Sequence, residues 1–275
     1  MFLVVLAYIL GILVGVILGL FGGGGVFLFP INHLILGQSV VPASAHAACL
    51  VAVAAWIGAI PRIRQNEIDW PTYFALGVPV SAGMLLVRLW LLNLIPQVIN
   101  IGEWAVTKES IVLVPFAMLL LLSFLSMKGW IGKNLKPRTE MRQNRPVAYY
   151  SILIVFGLAV GIIPAFAGAG GGVLIVPLLV VLFGLPMKTV VGTSLAIVAT
   201  KSTIGFLGGD LVSNPASIDV WFLAKFSVVI IFGAWLGSML AHRMDGPKLK
   251  NIFAYLVLTL AVYILVSELL FPGAV

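Results

Sequence analysis

The chain has 275 residues, 61% of them hydrophobic and only 9% charged, with a mean hydropathy of +1.17. A soluble domain is about 45–50% apolar and about 25% charged, so this chain lacks the polar residues to cover a water-facing surface. The same apolar excess excludes disorder, and the class that remains is a polytopic membrane protein. The net charge of +7 is not a nucleic-acid signature. Six of the 16 basic residues (Lys128, Lys133, Lys136, Arg138, Arg142 and Arg145) crowd into one linker, as the positive-inside rule produces beside membrane spans.

No charged residue precedes Arg62, and a second uncharged run covers residues 146–187. A bilayer core of about 30 Å takes roughly 20 apolar helical residues per crossing, so each run holds more than one crossing. Continuous apolar stretches such as residues 111–125 read as helices, because a barrel strand would alternate apolar and polar positions. The N-terminus has no basic region and no cleavage site, and reads as a first transmembrane helix rather than a signal peptide. The lone Cys49 sits in an apolar stretch and supports neither a disulfide framework nor a Cys metal site.

In chain order the first half reads as helices over 2–21, 26–37, 41–60, 71–95 and 109–127. The second half reads as helices over 147–164, 173–185, 189–208, 218–241 and 250–271. The halves are similar in sequence. Gly23, Gly24, Gly25, Val26 and Pro30 align with Gly170, Gly171, Gly172, Val173 and Pro177 at an offset of 147, and the same offset aligns Gly37 with Gly184 and Gly58 with Gly205. The expected architecture is all-α, with two five-segment repeats, 1–127 and 147–275, around a basic cytoplasmic linker, 128–146. The second segment of each half is short and either crosses or re-enters. If all segments cross, twelve of the 16 basic residues share the cytoplasmic side and the repeats are inverted, the plan of many secondary transporters.

Four glycines at positions 22 to 25, and Gly168 with Gly170, Gly171 and Gly172, strongly favour helix breaks. Broken backbone survives in a membrane only where protein or a water-filled cavity satisfies it. The helix that restarts after each break presents free N–H groups and a positive dipole end, which suit an anion. Pro30 and Pro177 are expected in the first turns of these helices, where a missing N–H costs little. The competing reading is close helix packing, which also accounts for Gly11, Gly15, Gly19, Gly157, Gly161, Gly233 and Gly237.

Lys201 lies inside the apolar segment 189–208, and the carboxylate nearest in sequence, Asp210, is nine residues away. A charge near the bilayer centre costs at least about 2.5–3.5 kcal/mol. An ammonium with no carboxylate partner would accept an anionic ligand; otherwise it snorkels or pairs with another helix end. Gly192, Thr193 and Ser194 open the same helix and supply hydroxyl donors, and His46 occupies the place equivalent to Thr193. His46 would bind substrate, take a proton or hydrogen-bond a neighbouring helix. Arg88 is expected near a membrane face, snorkelling. No Walker A loop, HExxH, paired Cys or nucleophile elbow is present, so the sequence supplies no cofactor site and no set of catalytic groups.

The Gly-rich run followed by Val-x-x-x-Pro in both halves, then Val191-Gly192-Thr193-Ser194-Leu195 and Gly205-Phe206-Leu207-Gly208, resembles the sulfite exporter TauE/SafE family over nearly the whole chain. The resemblance implies a multi-pass protein of a prokaryotic-type plasma membrane. It also implies transport of a small sulfur-containing anion: sulfite, a sulfonate such as sulfoacetate, or thiosulfate. Carried over as site or site-forming positions are Gly23, Gly24, Gly25, Pro30, Gly170, Gly171, Gly172, Pro177, Gly192, Thr193 and Ser194. The expected partners are the anion, the lipid bilayer and a coupling ion, proton or sodium, with an oligomer open. The rival readings are an anion channel of the same architecture and an intramembrane enzyme.

Overall fold

The computed structural model describes residues 2–91, 98–101, 104–131, 142, 144, 146–166, 172–213 and 215–270. It contains ten main helices among these residues. The first five are α1 (Phe2–Phe21), α2 (Gly24–Ile35), α3 (Val40–Arg64), α4 (Trp70–Leu86, extended by a π turn Val87–Leu91) and α5 (Lys108–Met127). The second five are α6 (Pro146–Phe166), α7 (Gly172–Leu182), α8 (Met187–Gly205, extended by a π turn Phe206–Asp210), α9 (Val220–Arg243) and α10 (Gly246–Leu270). The protein is therefore an all-α polytopic membrane protein. Seven of the helices are long and apolar enough to cross a bilayer, and three shorter apolar stretches lie in α2, α5 and α7. Large apolar side chains such as Phe74, Val155 and Val228 cover the outside, a surface suited to lipid and not to water. Added to the expected elements is a short antiparallel hairpin, β1 (Val98–Ile101) with β2 (Trp104–Thr107), between α4 and α5.

Packing is closest where glycine removes the side chain. The α1 and α9 helices run side by side in the same direction. A Cβ on Gly19 would stand 2.1 Å from the Ala234 carbonyl oxygen, and one on Gly237 would stand 2.1 Å from that of Val16. The α4–α6 pair repeats this arrangement, with Gly161 backed onto the Val80 carbonyl and Gly157 onto that of Leu76. With no hydrophobic driving force between helices in lipid, such backbone contact is what holds helix pairs together.

Helix directions follow from which ends touch. The α3 and α8 helices are antiparallel. Asp69, just after α3, bonds Thr193 near the start of α8, and Asp219, after α8, bonds His46 near the start of α3. The α3 helix runs with α1 and α9: Gly58 approaches Gly19, while the His46 ring lies tilted against Phe222 at the start of α9, 5.0 Å between centroids. Because α1 and α3 point the same way, the short α2 runs back towards the end where α1 began.

The local geometry of α2 and α7 coincides at the 147-residue offset. Each becomes a π turn directly after its proline, Ile31–Ile35 after Pro30 and Leu178–Leu182 after Pro177. Each then stops at a left-handed glycine, Gly37 (φ +67°) or Gly184 (φ +66°), with matching bonds from the Gln38 N–H to the Asn32 carbonyl (3.1 Å) and from the Leu185 N–H to that of Leu179 (3.2 Å). The prolines thus sit in the second turn and not the first. A proline there removes a bond to the preceding turn, and the ladder widens into a π turn to pass it.

Placing a side chain in the α1–α9 seam separates two backbones. Gly19→Leu and Gly237→Leu are each expected to cost about 1–3 kcal/mol, read as a lower melting temperature of purified protein in detergent, while Gly246→Ala, whose Cβ would meet only the Met187 Cβ at an ordinary 3.7 Å, costs much less.

Candidate functional site

The α1 helix ends at Gly22, whose φ of +71° closes the helix with a bond from its N–H to the Leu18 carbonyl at 2.7 Å. That left-handed backbone is open to glycine at no steric cost. The break is enclosed by the second half of the chain. The Gly22 carbonyl oxygen lies 2.5 Å from where a Gly172 Cβ would be, Gly23 abuts the Val173 Cα, and Gly22 faces Ser194 and Leu195 of α8. The end of α1 therefore meets the start of α7 against α8. Gly170 and Gly171, expected to share this role, lie outside the described residues, as does Gly168. The Ser194 hydroxyl donates to the carbonyl of Phe21 or of Val191, each 3.1 Å away, so it satisfies the frayed end of α1.

His46 and Thr193 occupy equivalent places and do equivalent work. The Thr193 hydroxyl oxygen accepts the backbone N–H of Asp69 (3.1 Å), and His46 Nε2 accepts that of Asp219 (2.9 Å). Each aspartate is the residue that precedes a long helix, α4 or α9, so each half ties down a helix entry belonging to the other. Because Nε2 accepts, the imidazole hydrogen sits on Nδ1 and is directed at Gln38 Oε1, 2.8 Å away. Of the three expectations for His46, the structure has the hydrogen bond to a neighbouring element. Gly192 lets the loop after α3 approach, since its Cβ would stand 2.4 Å from the Glu67 carbonyl. At the same end Arg142 grips the Asp69 carboxylate through two bonds, 2.5 and 3.2 Å. That hydrogen bonding pushes the Arg142 guanidinium above the ordinary arginine range.

Lys201 is 3% exposed, and among the described residues it has no hydrogen-bond or ion-pair acceptor. It follows Ser194 by seven residues, two turns along the same face of α8, the face that meets the glycine breaks. Asp210 is engaged elsewhere, in an ion pair with Arg88. Arg88 does not snorkel outward as its sequence position implied. Its side chain is 11% exposed and points into the bundle, with Nη2 3.5 Å from the Ser44 hydroxyl. The reason is that Asp210 and Ser44 offer acceptors inside the protein.

Arg88, Ser44, Ser202 and Gly25 line a small internal void, about 10 Å³ and so room for about one water molecule. Arg88, Ser44 and Ser202 were not legible as site residues, although a lone Arg and a lone Asp in two apolar segments is a pairing signal. A much larger space, about 480 Å³, opens between α5, α6 and α7, but it is walled by groups such as Leu119, Phe156 and Leu178 with no charge among them. An anion gains nothing there, whereas the small void has Arg88, Ser44 and Ser202 on its wall.

Two interrupted helices meeting inside a bundle, beside a buried cation, form the architecture of a multi-pass membrane transporter. The chain belongs to the sulfite exporter TauE/SafE family, which it matches over residues 7–264. It is 27% identical over 274 residues to a probable membrane transporter protein of Xylella fastidiosa, covering 93% of this chain and 92% of that one. A probable membrane transporter protein of Bacillus subtilis is 21% identical over 280 residues, 98% of each chain. One from Methanocaldococcus jannaschii is 30% identical over 125 residues, 42% of this chain and 45% of that one. No solved structure matches.

Removing either reciprocal acceptor leaves a backbone N–H without its partner. His46→Phe and Thr193→Val are each expected to cost about 1–3 kcal/mol, seen as similar drops in melting temperature. A far larger effect of His46→Phe on transport than on stability would assign the imidazole a role beyond this tie.

Proposed function

We propose that the protein is a secondary transporter for a small sulfur-containing anion, sulfite, a sulfonate such as sulfoacetate, or thiosulfate, moved without chemical change. The observation that carries this reading is Lys201, a buried ammonium that lacks an acceptor among the described residues. A buried charge left unpaired is costly, and an anionic ligand removes the cost. The anion binds between Lys201 and the backbone N–H groups that follow the breaks, at Gly23, Gly24 and Gly25 in one half and Gly172 in the other. Gly192, Thr193, Ser194 and His46 form the frame around it. The family name supports the substrate class.

The halves 1–127 and 147–275 are an inverted duplication in this reading, and the antiparallel α3–α8 pair supports it. The occluded void favours a carrier over a channel of the same architecture: with room for about one water, the halves must move for an anion to enter. Arg62, Arg64, Lys188, Arg243, Lys248 and Lys250 lie at the same end of the bundle as Arg142, so the linker 128–146 is cytoplasmic in a plasma membrane. A proton or sodium ion couples the cycle.

Radiolabelled sulfite flux in proteoliposomes tests the site. Lys201→Met is expected to reduce uptake about tenfold or more, the value of a hydrogen bond to a charged group, and Lys201→Arg to retain part of it; unchanged flux in Lys201→Met removes this mechanism. Orientation is read separately. In a Cys49→Ser background, Lys136→Cys is expected to react with a membrane-impermeant maleimide only in inside-out vesicles.

A further inference from the structure

Four elements converge on the small void: Gly25 from α2, Ser44 from α3, Arg88 from the π turn of α4, and Ser202 from α8. Lys201 precedes Ser202, and Gly205 follows Lys201 by four residues on the same face of α8. Arg88 lies against that face, with its Nε 4.0 Å from where a Gly205 Cβ would be and its Cδ 3.2 Å from where a Gly209 Cβ would be. The two cations are thus about one helical turn apart along α8, and among the described residues Asp210 is the one carboxylate paired with either. It is held by Arg88 alone.

We propose that Arg88 is a second anion-binding cation of this site and that Asp210 is a tethered substitute for the substrate, displaced when a divalent oxyanion bridges Arg88 and Lys201. The proposal rests on the reading of Lys201 given above and extends it to the charge of the substrate. Three observations carry it. A guanidinium binds a carboxylate and a sulfur oxyanion through the same N–H donors; Arg88 Nη1 holds one Asp210 oxygen while Nη2 reaches Ser44, so Asp210 occupies the place one substrate oxygen would take. Asp210 ends the π turn Phe206–Asp210, an arrangement with one residue too many for the α-helical ladder and frequent at functional sites. Its side chain is 17% exposed against 3% for Lys201, so a displaced carboxylate lies near the end of the helix and not in the apolar centre. Gly209 sets no side chain against the Arg88 stem, whose Cδ and Cβ lie 3.2 and 3.6 Å from where its Cβ would be. A monovalent anion satisfies Lys201 but lacks the second charge needed to draw Arg88 from Asp210, which is how the site distinguishes divalent from monovalent ligands.

The test measures binding of thiosulfate and methanesulfonate to the purified full-length protein by titration calorimetry and thermal stabilisation. The wild type is expected to prefer thiosulfate. Asp210→Asn removes the internal competitor and is expected to tighten thiosulfate binding about tenfold, or 1.4 kcal/mol. Arg88→Gln is expected to erase the preference for the divalent anion while weak binding through Lys201 persists. An Asp210→Asn protein that is folded and binds thiosulfate no more tightly than wild type overturns the proposal. Should that single variant leave Arg88 unpaired and unfold, Arg88→Gln/Asp210→Asn carries neither charge. It is expected to bind both anions alike, and a retained preference for thiosulfate overturns the proposal. A wild type that binds neither anion overturns the transport reading itself, a result distinct from all of these.

Discussion

Inside a bilayer there is no water to accept a frayed helix end, and this one constraint organises the molecule. The α1 helix stops at Gly22 and α7 begins at Gly172, in regions where lipid would leave peptide groups unbonded at several kcal/mol each. The breaks are therefore placed against each other and against α8, with Ser194 closing the end of α1. Once the two interruptions are buried together, α2 and α7 must return along the bundle. The antiparallel relation of α3 and α8 and the close α1–α9 and α4–α6 seams follow in the same frame.

The reciprocal ties give this frame its second level. A threonine in one half and a histidine in the other accept the backbone N–H of an aspartate that precedes a long helix. The chemistry differs while the geometry is kept, because what is required is an acceptor at a fixed place and both side chains supply one. Polarity is not shared equally between the halves. Lys201 has Ala54 at its equivalent position, and Ser202 has Ala55. The frame is nearly symmetric, and the charged centre belongs mainly to α8 and to Arg88 of α4.

Arg88 shows how far a local reading of charge extends. In sequence it sits near the end of an apolar segment, and a long side chain there ordinarily reaches outward to the headgroups. In the fold the inward direction offers Asp210 and Ser44, residues 122 and 44 positions away, and an ion pair in the protein is better for a guanidinium than a stretched path to the surface. Lys201 is the contrary case. Its isolation was legible because no carboxylate lies near it in sequence, and among the described residues the fold pairs none with it: Asp210 is held by Arg88.

The sequence by itself determined the class, the ten apolar segments nearly to their ends, and the self-similarity at an offset of 147 residues. These depend on composition and on short-range chemistry: apolar length sets a crossing, and glycine and proline set where a helix stops. The placing of Pro30 and Pro177 ahead of π turns, the direction of α2, the meeting of Gly22 with Gly172, and the gathering of Arg88, Asp210, Ser44 and Ser202 around one void were decided only by tertiary structure. Each depends on which helix lies beside which, and backbone-to-backbone packing at glycine seams sets that relation between residues more than a hundred positions apart.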